Sequence, residues 1–170
     1  MLSLEVMYKG EKKMLFTVSD DGIFTVNCEL FILEKRNAVM QFIIDTGAGI
    51  TCCRAKELGI NLKEQEFLAN GLRIKYLNGV LKEENKEYSK DLYSIRFYEI
   101  KLKKFKIGTS IILPDVSVWV TFDNRFYTCL MGQDILDKLY YMHLQNTKHL
   151  LISDNIADLK KYLDSISEKI

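Results

Sequence analysis

The chain has 170 residues, a formal net charge of +1, 48% hydrophobic and 28% charged residues. That is enough for one domain with a sizeable core, and it lacks the basic excess that would draw it to nucleic acid or an anionic membrane surface. No stretch approaches the ~20 consecutive apolar residues of a membrane helix. Residues 1–6, with an early Glu5 and no long apolar run, do not read as an export signal.

Strand signals dominate in chain order. Residues 2–8 and 14–18 are short runs of β-formers, and Asp20-Asp21-Gly22 predicts a hairpin turn into a strand over residues 23–33. A polar turn at residues 34–37 leads to a strand over 38–44. A short helix is expected at residues 54–58, closed by Gly59. Residues 61–91 are polar, and Asn78-Gly79 marks the tip of an exposed hairpin with arms at 73–77 and within 80–88. Strands follow at 92–100, 102–107 and 116–122, punctuated by Gly108 and Pro114. Lysines alternate with apolar residues in 101–106, the pattern of a strand's wet face rather than a nucleic-acid patch.

Residues 130–136 read as a buried strand entering a short helix, and residues 140–144 pair with 149–152. Ile156, Leu159, Leu163, Ile166 and Ile170 recur at helical steps, so the tail is an amphipathic helix capped by Ser153 or Asp154. The expected architecture is mostly β: one domain over residues 1–152 and a C-terminal helix over 153–170. Residues 1–20 are read as an edge hairpin of that domain rather than as a pro-segment.

The chemistry concentrates in Phe42-Ile43-Ile44-Asp45-Thr46-Gly47-Ala48. A carboxylate straight after a buried strand is costly unless hydrogen bonds hold it or chemistry uses it. The Thr46 hydroxyl can fix a loop, and Gly47 lets backbone approach closely. Taken alone, the segment also fits an ordinary Asx turn. A second segment, Leu130-Met131-Gly132-Gln133-Asp134-Ile135-Leu136, lies downstream.

In this order and at this spacing, the two segments resemble the retropepsin-like (retroviral-type) aspartic proteases, bacterial branch, over residues 23–152. The resemblance implies a closed, mostly antiparallel acid-protease β-barrel with a flap over a cleft. It assigns Asp45 as catalytic, Thr46, Gly47 and Ala48 to the active-site loop, and Gly132 and Asp134 to a structural motif. Asn78, Gly79 and Val80 become the flap that closes on substrate, with Ile50, Val80 and Leu81 as candidate pocket walls.

Peptide hydrolysis by this route needs one ionised carboxylate to take a proton from water and one protonated carboxyl to polarise the carbonyl. Two carboxyls held close share a single proton. The chain supplies one Asp-Thr-Gly, because Asp20-Asp21-Gly22 lacks the hydroxyl and follows no apolar strand. The second carboxyl therefore comes from another copy, making a homodimer with a peptide or protein substrate and no metal or organic cofactor. No nucleic-acid or membrane partner is expected.

The chain departs from the viral pattern at Gly49 and Gln133, where viral enzymes carry an acid and an arginine that pair. Two other readings remain: a non-proteolytic dimeric interaction module of the same fold, and a nucleotide-binding loop of the actin and sugar-kinase type. The latter needs two lobes and further phosphate motifs that 170 residues do not supply. A dinucleotide fingerprint starting at Gly47-Ala48-Gly49 meets Cys52 where its third glycine belongs.

Cys28, Cys52, Cys53 and Cys129 fit neither a zinc ribbon nor a disulfide scaffold, so reduced thiols in a cytoplasm are expected. Whether adjacent Cys52 and Cys53 form a redox switch stays open beside the simpler reading of two small buried side chains. His143 and His149 belong on the two arms of one hairpin, without a ligand set for metal. The tail helix either packs on its own domain or joins a coiled coil across a dimer axis.

Overall fold

The computed structural model describes residues 3–8, 11–17, 22–33, 36–61, 63–65, 74–78, 94–144 and 149–167. Its strands are β1 (Ser3–Tyr8), β2 (Glu11–Thr17), β3 (Thr25–Leu33), β4 (Arg36–Ile44), β5 (Cys52–Arg54), β6 (Ile74–Asn78), β7 (Ser94–Ile107), β8 (Ile111–Thr121), β9 (Leu130–Met131), β10 (Tyr140–Leu144) and β11 (His149–Ser153). Helix α1 spans Gln133–Leu136 and α2 spans Ile156–Ser167. The chain is mostly β, and no helix among the described residues is long and apolar enough to cross a membrane.

One sheet joins the two ends of the chain in the order β1-β2-β11-β10. The other runs β3-β4-β9-β5-β8-β7-β6. β4 with β9 and β5 with β8 are parallel, and the remaining neighbours are antiparallel. β7 also pairs with β3, from Cys28 opposite Ile107 to Phe31 opposite Lys104, so the pairings return to the strand where they began.

The alternation in β3 and β4 explains their place. Val26, Cys28 and Leu30 face the core from β3, and Met40 and Phe42 from β4. In β7 and β8 the alternation changes phase. Tyr98, Ile100 and Leu102 are inward, then Phe105 and Ile107; across from them lie Val120, Val118 and Val116, then Leu113 and Ile111. The phase slips at Lys103-Lys104 and, opposite, at Pro114-Asp115, where Asp115 has φ +50°. Because both strands slip together, each keeps its apolar set inside.

Several sequence expectations are corrected here. The two strands expected at 92–100 and 102–107 are one strand, β7, since the matched slip removes the need for a break. Pro114 lies within β8 opposite Lys104 of β7, while β5 joins β8 further along at Trp119–Thr121, so among the described residues its missing N–H leaves no second strand unpaired. The strands on either side of Asp20-Asp21-Gly22 are not the arms of one hairpin: β2 pairs with β1 and β11, while β3 pairs with β4 and β7. Asp20 and Asp21 lie outside the described residues, and Gly22 has φ +85°. In place of a helix at 54–58, β5 runs to Arg54, followed by tight turns donated by the N–H groups of Glu57, Leu58 and Gly59.

β6 pairs with β7, from Ile74 opposite Tyr98 to Asn78 opposite Ser94. The expected second arm within 80–88, with Val80 and Leu81, and the tip residue Gly79 lie outside the described residues. β10 and β11 pair as expected, with Leu144 opposite His149 and His143 opposite Leu150.

β11 is buried on both faces. Leu150 and Ile152 join the main core, and Leu151 packs with Leu159 of α2. The tail helix thus packs on its own chain. Its cap is Asn155, not Ser153 or Asp154: the Asn155 side chain accepts the Ala157 N–H at 2.9 Å, while the Ser153 hydroxyl accepts the Asn155 N–H at 3.1 Å. The cap moves inward because Ser153 is still part of β11. Asn155→Ala is expected to cost about 1 kcal/mol of stability, read as a lower urea midpoint at unchanged slope.

Candidate active site

Asp45 is the first residue beyond β4, and two neighbouring segments fix its backbone. Its N–H donates to the Met131 carbonyl at 3.0 Å, one step beyond the Ile43 N–H to Cys129 carbonyl bond at 2.8 Å. The Ile44 N–H donates to the Phe24 carbonyl at 2.9 Å. The strand end is therefore held from both sides, and Phe42 anchors it with a fully buried ring. The Asp45 side chain emerges half-buried.

The loop then folds on its own aspartate. The Gly47 N–H donates to Asp45 Oδ1 at 2.9 Å, and the Ala48 N–H to the Asp45 carbonyl at 3.2 Å. A Cβ on residue 47 would sit 3.2 Å from Asp45 Oδ1, so the glycine keeps this close approach relaxed. Thr46 and Gly47 are exposed and Ala48 is half-buried.

The second segment locks the first from beneath. The Gln133 backbone N–H donates to the Ala48 carbonyl at 2.8 Å, and its side-chain amide to the Thr46 carbonyl at 2.8 Å. Asp134 accepts the Thr51 N–H on Oδ2 at 3.0 Å and the Thr51 hydroxyl on Oδ1 at 2.6 Å. The same hydroxyl accepts the Gly132 N–H at 3.0 Å. Thr51 is fully buried, with its hydrogen-bonding capacity used in both directions. Gly132 and Asp134 are thus brought together with the Asp45–Ala48 loop, while Asn78 lies at the end of β6. Gly79 and Val80, with the flap's closure, fall outside the described residues.

Two residues contribute more than the sequence reading assigned them. Thr51 lies three residues past the first segment, and a hydroxyl inside the buried run Ile50-Thr51-Cys52 is the signal that it serves a partner. Gln133 stands where viral enzymes carry an arginine, and its amide braces the Thr46 carbonyl.

Beside the loop lies a cavity of about 320 Å³, bordered by Gly49, Ile50, Glu99, Trp119, Asp134 and Ile135. Ile50 is buried with Cys52, Phe97 and Trp119, so it forms a wall there. Glu99 is buried and accepts the Ser117 hydroxyl at 2.7 Å. Among the described residues, no group of three or more His, Cys, Asp or Glu gathers to hold a metal ion. Chemically, the chain offers one half-exposed carboxylate, oriented by a backbone N–H, on a loop pinned at four carbonyls and a buried hydroxyl.

No family model matches the sequence, and no curated protein sequence does. Among solved structures, the chain is similar to the crystal structure of a retropepsin-like aspartic protease from Rickettsia conorii, at 17% identity and a TM-score of 0.52. The match covers 86% of this chain and 95% of that one. The likeness establishes a shared fold.

The interlock makes contrasting demands on two glycines. A Cβ at Gly132 would lie 2.4 Å from the Ile50 carbonyl oxygen and 2.7 Å from that of Ala48; at Gly49 it would meet nothing within 4 Å. Gly132→Ala should therefore lose about 3 kcal/mol or more, and Gly49→Ala about 0.5 kcal/mol or less. Chemical denaturation of the two variants beside the wild type reads the difference.

Proposed function

We propose that this chain is an aspartic endopeptidase that works as a homodimer, with Asp45 from each of two copies forming the catalytic pair. The observation that carries the reading is Asp45 itself: a half-exposed carboxylate oriented by the Gly47 N–H, at the end of a buried strand, in the fold shared with a retropepsin-like protease. An uncharged Asn would make the same bond to the Gly47 N–H, so the turn by itself does not call for a charge at this position.

One Asp45 carboxylate takes a proton from a water as that water attacks the scissile carbonyl. The protonated Asp45 of the second copy gives its proton to the carbonyl oxygen. Collapse of the tetrahedral intermediate breaks the C–N bond, and the amine leaves with a proton from the pair. The exposed Thr46 side chains would bridge the two loops beneath the pair. The Gly47 carbonyl would meet the substrate backbone, and Asn78, Gly79 and Val80 would close over it. An extended peptide held between flap and floor is bound by strand addition, with side-chain pockets giving selectivity.

The reading extends to a closed acid-protease barrel, to limited proteolysis of a particular protein, and to a bacterial cytoplasm, which suits four free cysteines. The Gly49 and Gln133 departures favour the interaction-module alternative, since they remove a charge pair. Against it stands Gln133, which still braces the loop carrying Asp45.

Incubating the protein with a diverse peptide pool across acid to neutral pH, with cuts read by mass spectrometry, tests the proposal. Cleavage is expected to peak where the pair holds one proton and to fall on either side. Asp45→Asn should lower it by about 10²–10⁴-fold, with the melting temperature little changed, because the amide oxygen still accepts the Gly47 N–H. Undiminished cleavage in that variant would sink the assignment.

A further inference from the structure

The cysteines are arranged differently from what their sequence positions suggest. β5 and β9 run antiparallel with Cys52 opposite Leu130. Continuing that register by one residue brings Cys53 opposite Cys129. Neighbouring residues on a strand face opposite ways, and the packing agrees. Cys53 belongs to the main core with Cys129 packed against it, whereas Cys52 lies in the second cluster with Ile50, Phe97 and Trp119. Cys52 and Cys53 are therefore turned away from each other.

Side chains directly opposite in an antiparallel pair have Cβ atoms about 4.5–5.5 Å apart, and a disulfide needs about 3.5–4.5 Å. A small strand movement closes that gap. Hydrogen bonding between the two thiols links their titrations. Cys53 is fully buried and Cys129 is half-buried. The bond from Cys53, with the backbone N–H and positive charge of Arg54, holds the Cys129 thiol below its ordinary range. The bond to Cys129 and burial push Cys53 up. A half-buried, reachable thiol beside a fully buried one is the arrangement of an attacking and a resolving cysteine.

We propose that Cys53 and Cys129 form a reversible disulfide that latches β5 to the segment entering β9. With a peroxide as oxidant, the Cys129 thiolate attacks one oxygen and breaks the O–O bond, giving a sulfenic acid and releasing the other oxygen as water after protonation. The Cys53 sulfur then displaces the sulfenic hydroxyl, which leaves as a second water with the Cys53 proton. Two thiols are oxidised and one peroxide is reduced. A dithiol reductant reverses the bond by exchange.

The latch lies against the strand that delivers Asp45. The Cys129 carbonyl accepts the Ile43 N–H, and the Met131 carbonyl accepts the Asp45 N–H. Closing the bond therefore acts on the pair of contacts that sets the height of the Asp45 loop. Formation of the disulfide does not rest on the peptidase reading, and its test does not use cleavage.

The full chain is treated with hydrogen peroxide, free thiols are alkylated, and the unreduced digest is mapped by mass spectrometry. The expected product is a peptide pair linked through Cys53 and Cys129, lost on adding dithiothreitol, with Cys28 and Cys52 alkylated. It should form faster as pH rises, following the Cys129 thiolate, and be absent in Cys129→Ser. A Cys52–Cys53 link, a link between copies, or an oxidised Cys129 with no link would overturn the proposal. The wild-type map decides the matter even if the variant fails to fold.

Discussion

Gly132 can pass beneath Ala48 and Ile50 only because it has no Cβ, and the rest of the site depends on that passage. The carbonyl oxygens of Ile50 and Ala48 lie where a side chain on residue 132 would begin. With the two backbones in contact, the Gln133 N–H reaches Ala48 and the Gly132 N–H reaches the Thr51 hydroxyl. The Asp134 carboxylate then receives both the N–H and the hydroxyl of Thr51. Bonds to a carboxylate are the stronger kind, and the buried Thr51 hydroxyl links a donor to an acceptor. Losing it would strand polar groups on both sides, the costly outcome for a buried network.

This interlock gives Asp45 its rigidity. A catalytic carboxyl must be held to a fraction of an ångström while staying reachable by substrate. Under the proposed role, both needs are met by Asp45 at the end of the strand anchored by Phe42, with its N–H on Met131 and its loop tied to the helix-entry segment. What the single chain does not supply is a second carboxyl from the same motif. In the proposed homodimer, isologous twofold pairing would supply one without new sequence, since the same exposed loop would face its own copy.

The site was legible where chemistry leaves a local mark. Asp45 after an apolar run, with Thr46 and Gly47 next, is readable because it violates the rule that buried strands avoid charge. The strands β3, β4, β10 and β11 were legible from alternation and turns. Partnerships far apart in the chain were not. Nothing local couples Thr51 to Asp134, and nothing in residues 14–22 says that β2 will pair with β11 and leave β3 to another sheet. The β7–β8 pair hid itself differently. A phase slip in one strand reads as a break, and only its match at Pro114-Asp115 shows it to be a continuous ladder. Asn155 was missed as a cap because β11 runs on through Ser153.

The central claim is that one active site takes an Asp45 from each of two copies. Wild-type chain and Asp45→Asn chain, unfolded and refolded together in equal amounts at fixed total concentration, test it through the rate of peptide cleavage. If both carboxyls are required, random pairing leaves about a quarter of the dimers active and the rate falls to about a quarter of the wild-type value. A rate of about half would mean that each copy works with its own Asp45 alone, and would contradict the account.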